Sequence, residues 1–420
     1  MLQDAGSLMY EGNRSTDDSP AVALMRAAGA IPLLVTNVPE LCIWGDTHNL
    51  LYGTTVNPHD TRRGPGGSSG GEGSLLASAG SLIGLGTDMV GGVRIPAAYC
   101  GVFSHKPTSG MRQDAGSLLY RGRRAVEDAP AVSRMRAAGA IPLVLTNVPE
   151  LCAWDDAHNL LYGTTRNPHD TRRGPGGSSG VVPNTGLLPD VGENMGEYNC
   201  VGPMTRFSED LPLLLKVLAG GAADRLRLDE EVARHLKEAV GSDIRRLHVP
   251  ELQYAMITWY KVYAARAPEL IGLSGVNVLV DFMRTLLGNG RYTLAYLVHS
   301  KTAAAFRFSS KQEAEAHLAF VESVRSRLEE TLGDDGVLIL PAAMSVAAYH
   351  NQDLLFNDSP GMMALFSVLQ VPATVCPVAK SGNGLPLAVQ VVAKRGNDRL
   401  CLAVAKEIER HFGGWIRPGV

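Results

Sequence analysis

An α/β architecture is what this sequence predicts, and three observations predict it. Segments with helical punctuation alternate with short apolar runs of strand length, the pattern of helices packed on a sheet. Hydrophobic residues make up 45% and charged residues 19% of the 420 positions, the balance of a soluble globular chain with a large core. No low-complexity linker divides the chain, so residues 1–420 read as a single domain.

The elements follow in order. Asp18-Ser19-Pro20 offers a cap and a proline at the first helical position, so a helix is expected over Ala21 to Ala28, ended by Gly29. Ile31 to Val35 reads as a short buried strand, and Asn37 with Pro39 as the start of a second helix through Trp44. Two Gly-rich runs, 66–72 and 84–92, then flank an apolar segment from Ser74 to Ile83. Leu211 to Ala219 looks helical, and residues 277–300 carry helical apolar spacing around Gly288-Asn289-Gly290. Lys311 to Leu332 is a long helix ended by Gly333, and Val337 to Leu340 a buried strand closed by Pro341. Leu387 to Ala393 is a further strand, and Asp398 to His411 a helix.

A repeat dominates the organisation. Residues 1–70 recur as 111–180 with roughly three-quarters of the positions identical, and both copies end in Thr-Arg-Arg-Gly-Pro-Gly-Gly-Ser-Ser-Gly. Two copies of this length do not make a solenoid. The second copy reads as a duplicate inserted after the segment 66–110. The first is expected to fill the native place in the fold, because it keeps the connection to that segment. The second carries apolar faces of its own, so it is expected to pack outside or to pair with another copy of the chain.

Several function classes are excluded. A net charge of −3 and a pI near 6.4 give no electrostatic footprint for nucleic acid. The six cysteines show no metal spacing and read as buried free thiols of an intracellular protein. The histidines, His48 and His158 among them, are scattered and read as structural, so no metal and no cofactor is expected. The N-terminus has neither the basic start nor the apolar run of a signal peptide, and no run of about twenty apolar residues reads as a spanning helix. No phosphate-binding Gly-x-x-x-x-Gly-Lys-Ser/Thr occurs.

The chemistry-bearing stretch is Gly66-Gly-Ser-Ser-Gly-Gly-Glu72 together with Gly84 to Pro96. Glycines leave amide N–H groups open, and two hydroxyls share the concavity. Such a device holds an oxyanion, either a phosphate or the developing charge of acyl transfer. The run GGSSGGEGSLLASAGSLIGLGTD, followed by RIPAAYCGVFSHKPTSG, resembles the amidase signature family. The later pieces GPM, DDGVLILP, GLPLAVQVVA and HFGGW resemble its fatty-acid amide hydrolase branch.

That resemblance implies a large mixed β-sheet covered by helices on both faces. It also implies amide hydrolysis by a Ser–Ser–Lys triad, with a neutral buried lysine as base and a relay serine on a cis peptide. The implied substrate is a small-molecule or lipid amide, with a membrane surface and a second copy of the chain as further candidate partners. Ser68 matches the relay serine, Ser69 and Glu72 the supporting positions, and Thr87-Asp88 the pair before the oxyanion turn. Arg94 and Pro96 match the Arg-x-Pro after it, and Met89, Val90 and Gly91 occupy the turn.

The nucleophile position, 24 residues after Ser68, is Gly92. Val90 stands where the family has glycine, and a β-branched residue resists positive φ, so an altered oxyanion turn is expected. The family's base lysine lies well upstream of the Ser-Ser pair, whereas the first lysine here is Lys106, whose Lys-Pro-Thr context implies a structural role. The sequence therefore predicts a family chain impaired in catalysis. The alternative is a non-catalytic protein that binds acyl amides. The apolar residues Phe282, Leu286, Leu287, Tyr292, Tyr296 and Leu297 either pack helices together or, as in the lipid-amide hydrolases, line an acyl path or a membrane face.

Overall fold

A computed structural model describes residues 4–15, 18–108, 158–159, 163–164, 200–219, 247–266, 278–306, 308, 310–350, 352 and 361–419. At their centre six strands form one sheet in the order β3 (Ile83–Asp88), β7 (Cys200–Thr205), β4 (Phe103–Lys106), β9 (Ala373–Lys380), β10 (Pro386–Val392) and β8 (Leu338–Pro341). Every neighbouring pair is antiparallel. The parallel component of the expected mixed sheet is not among these pairs.

Helices cover both faces, and the two-residue period of the strands shows how. Phe103, Val201, Cys376 and Val391 point into a core shared with α1 (Pro20–Ala27) and the helices Asp210–Ala219 and Asp398–Phe412. Met204, Val375 and Ala388 point the other way, into a core shared with α2 (Gly70–Ala77) and α3 (Arg94–Cys100). A third core joins the helices Ala255–Arg266, Lys311–Leu332 and Gly361–Val368 to Ala373 and Val392.

All residues of β4 and β7 are buried. His105 and Lys106 stay there because they have partners. The His105 ring lies 2.8 Å from Thr374 Oγ1 through Nδ1 and 3.1 Å from Asp398 Oδ1 through Nε2. Lys106 Nζ donates to the Pro107 carbonyl at 3.0 Å.

The expected helices at 21–28, 211–219, 311–332 and 398–411 fall within a residue or so of those observed, as do the strand at 387–393 and two helices within 277–300. Three expectations are corrected. Ile31 to Val35 is neither strand nor buried: Ile31 is 82% exposed and Leu33 71%. A strand needs a neighbour for its peptide groups, and no described residue supplies one; an apolar run alone cannot reveal this. In place of a helix from Asn37 to Trp44 there is a single 3₁₀ turn, Glu40–Cys42, with Leu41 at φ +53°. Its backbone groups are taken by distant partners, Leu41 N–H by Ala5 O and Asn37 O by Gly71 N–H. β8 is an edge strand with Ile339 half exposed, because β10 covers only one of its sides.

The duplicated segment lies outside the described residues except for one hairpin. β1 (His48–Asn49) and β2 (Gly53–Thr54) pair His48 with Thr54 and Asn49 with Gly53. β5 (His158–Asn159) and β6 (Gly163–Thr164) pair His158 with Thr164 and Asn159 with Gly163, the same register. Among the described residues no helix is long and apolar enough to cross a membrane.

Candidate active site

The Gly66 to Glu72 loop is held between two walls. One is the 36–47 segment. Thr47 Oγ1 donates to Gly66 O at 2.7 Å, and Gly71 N–H to Asn37 O at 3.2 Å. Approach is so close that a Cβ on Gly67 would stand 2.2 Å from the Trp44 carbonyl oxygen. Glycine is required there by contact, not by φ. The Gly67–Ser68 peptide is cis, and α2 starts at Gly70.

The other wall is the turn from Asp88 to Arg94. Ser69 N–H donates to Gly92 O at 2.9 Å, and Ser69 Oγ accepts from Thr87 N–H at 3.2 Å. The turn folds around the Asp88 carboxylate, which accepts from Gly91 N–H at 2.9 Å and from Arg94 Nε and Nη2, each at 2.9 Å. Neither side chain of this pair is exposed at all. Arg94 also donates to Ser367 Oγ at 2.7 Å, Met363 O at 3.1 Å and Gln390 Oε1 at 3.3 Å. Burial alone would raise the Asp88 pKa, but the charge and hydrogen bonds of Arg94, with Lys106 beyond, hold it below its ordinary value.

The expected strain at Val90 does not arise. Val90 is not among the residues with positive φ, and the turn takes φ +129° at Gly91 instead. Met89 and Val90 pack partly buried against the third core. The turn therefore closes without the glycine that the resemblance places at 90.

Ser68 and Gly92 meet across the two walls. A Cβ on Gly92 would stand 2.9 Å from Ser68 Oγ. The spacing read from the sequence thus corresponds to a real juxtaposition of a hydroxyl with a position that carries no side chain. The same Cβ would lie 2.2 Å from the Thr87 carbonyl oxygen, so the backbone occupies the room a side chain would need.

Other expected residues sit as follows. Glu72 accepts from Thr36 Oγ1 at 3.0 Å, and burial pushes its carboxyl up to about 7. Lys106 is wholly buried on β4, and burial pulls its ammonium below the ordinary value. Its hydrogen bond to Pro107 O fits a structural role. Burial pushes the thiols of Cys42 and Cys200 up to about 12, far from the thiolate that reactivity requires. Among the described residues no cluster of three or more His, Cys, Asp or Glu side chains is placed to hold a metal ion. Tyr292, Tyr296 and Leu297 are buried together against Leu41, Ile43 and Phe282, while Leu287 is 74% exposed.

Sequence reasoning missed the groups that hold the walls. Thr47, Ser367 and Gln390 were unassigned, as was the pair His350 Nδ1 with Asp46 Oδ2 at 2.9 Å. Gln390 did leave a signal, as a lone polar residue inside an apolar strand, where burial demands a partner. Ser367 left none.

Known proteins resemble this chain in sequence and in fold. The family model described as Amidase matches twice, over residues 1–111 and 108–181. "Fatty-acid amide hydrolase 2-A" of Danio rerio is 31% identical over all of this chain and 73% of its own length. "Fatty-acid amide hydrolase 2" of Homo sapiens is 30% identical over 96% of this chain and 70% of its own length. The solved structure of 6-aminohexanoate cyclic dimer hydrolase complexed with substrate superposes over 100% of this chain and 83% of that one. Its TM-score is 0.62 at 20% identity, a likeness of fold.

Proposed function

The chain belongs to the amidase signature family, and from that premise we propose that it descends from fatty-acid amide hydrolases and has lost their covalent step. The observation that carries this reading is Gly92. Ser68 Oγ faces a glycine where the family's mechanism needs an attacking hydroxyl, and a relay with nothing to activate performs no acyl transfer. Losing a nucleophile removes nearly all covalent rate enhancement, and the rest of a triad does not make it good. The test is labelling with a fluorophosphonate probe, followed by mass spectrometry of the 62–94 peptides, beside an assay with a long-chain acyl amide. No adduct at Ser68 or Ser69 and no hydrolysis above blank are expected. An adduct on either serine, or turnover, would overturn the reading.

A second reading, a protein that binds acyl amides without cleaving them, is favoured by the apolar side chains left exposed on neighbouring helical segments, Tyr254, Ile257, Val280, Met283 and Leu287. Calorimetry with the same amide separates the two, since a ligand bound only to the native state raises apparent stability.

In this reading residues 111–180 are an insertion, and copy 1 fills the native place. Copy 1 keeps the side chains that the site uses. Thr47 bonds Gly66 O, and Ile43 packs on Tyr292 and Tyr296. Copy 2 has Ala157 and Ala153 at those positions, and Asp155 at that of Gly45.

A further inference from the structure

We infer that a cavity beside the helix Lys311–Leu332 is a binding site for a small monocarboxylate with an aliphatic tail. The cavity has a volume of about 120 Å³ and is bounded by that helix, by residues 247–249 and by Leu369. None of its lining residues belongs to the Gly66 to Glu72 loop or to the Asp88 to Arg94 turn. Its floor is apolar. Val324, Leu328 and Leu369 are buried there, and Val249 closes one side. The floor is also fixed in place. The buried Arg325 donates from Nε to Leu369 O at 2.8 Å, and Leu252 N–H donates to Val249 O at 3.1 Å.

The rim is polar, with Arg327, His248 and Thr331 standing exposed on it. Arg327 Nη2 pairs with Glu251 Oε1, which leaves the guanidinium further N–H groups in the same plane. The two charges are not equally accessible: the Arg327 side chain is 59% exposed and that of Glu251 12%. A solute entering the cavity therefore meets the cation before the carboxylate. The Thr331 hydroxyl already donates to Arg327 O at 2.7 Å, so it turns no donor away from its own helix. An apolar floor with a few polar groups at the mouth is the anatomy of a small-molecule site. The planar fork of a guanidinium selects a carboxylate as the head group. Size sets the tail. An engineered apolar cavity of about 150 Å³ takes a benzene-sized guest, so one of about 120 Å³ takes a chain of roughly four or five carbons.

The test is titration of the full chain with pentanoate, followed by calorimetry and by ligand-observed NMR. One site is expected. From acetate to pentanoate the affinity should rise about fourfold per added methylene. Octanoate should gain nothing further, because its tail outgrows the cavity. Pentanol and pentylamine, with the same tail and no carboxylate, should bind at least fivefold more weakly than pentanoate. Arg327→Gln should weaken pentanoate at least fivefold. The pair it removes is at the surface and holds little of the fold, which circular dichroism of the variant checks. No binding at about 10 mM pentanoate would overturn the inference. So would equal affinities for acetate and pentanoate, which would mean a surface charge without a cavity, or an Arg327→Gln chain with the parent's affinity, which would place the head group elsewhere. None of these outcomes bears on Gly92 or on the loss of the covalent step.

Discussion

The loop from Gly66 to Glu72 and the turn from Asp88 to Arg94 are two halves of one candidate site, and they differ in what they present: hydroxyls on the loop, a bare glycine at position 92 on the turn. The loop keeps its hydroxyls and is held by the hydrogen bond it accepts from Thr47 Oγ1 and the one its Gly71 N–H donates to Asn37 O. The turn is held from within and from the distant Ser367 and Gln390, and carries no side chain at position 92. Asp88 and Arg94 fold the turn around a buried charge pair, while the backbone at Thr87 stands in the room a side chain at 92 would need.

The largest effect should come from breaking that pair. Arg94→Met leaves the Asp88 carboxylate buried with no counter-charge on the turn, and removing one partner of a buried ion pair costs about 3–5 kcal/mol. Chemical denaturation should show this as a large drop in midpoint. A loss below about 1 kcal/mol would mean that water reaches Asp88 and that the turn is looser than its hydrogen bonds imply.

The second test contrasts the halves directly. Gly92→Ala or Gly92→Ser puts a Cβ against Thr87 O, where the available distance is 2.2 Å. Overpacking of this kind costs about 1–3 kcal/mol. Ser68→Ala removes a hydroxyl that holds no described backbone group, and should change stability by about 0.5 kcal/mol or less. The prediction is therefore asymmetric: the turn resists gaining a side chain, while the loop tolerates losing one. Equal midpoints for the Gly92 and Ser68 variants would show that Thr87 moves aside freely, and would reopen position 92 to a nucleophile.

How much of this was legible beforehand depended on distance along the chain. The helix Lys311–Leu332 was readable from its own ends, where Ser310 Oγ accepts from Glu313 N–H and Gly333 takes φ +58°. The strands β3 and β4 were not read, because Ile83–Asp88 is broken by glycines and Phe103–Lys106 carries a histidine and a lysine. What lets His105 stay buried is Asp398 and Thr374, far away in sequence. The same limit applied at the site. The match between Ser68 and position 92 was a count of residues, but Ser367 and Gln390, which fix the turn, belong to the opposite end of the chain. Ile31 to Val35 marks the reverse failure: a local pattern clear enough to read as a strand, to which no described residue offers a neighbour.

The last test concerns Glu72, at the end of the loop, and it depends on pH. Its carboxyl titrates at about 7 in the folded chain against an ordinary value of 4.5, because burial disfavours the charge more than Thr36 Oγ1 favours it. Between these two values the native state holds the proton more often than the unfolded state does. Stability must therefore fall as pH rises from about 4.5 to about 7, and stay level above that as far as this group is concerned. The residue is only partly buried, so the change should be about 2 kcal/mol rather than the full value of the shift. Glu72→Gln keeps an acceptor for Thr36 and cannot ionise. Its denaturation midpoint, followed from pH 5 to pH 8, should lose this slope and exceed the parent's at pH 8. A variant with the parent's slope would mean that Glu72 is solvated when ionised and that another group carries the pH dependence.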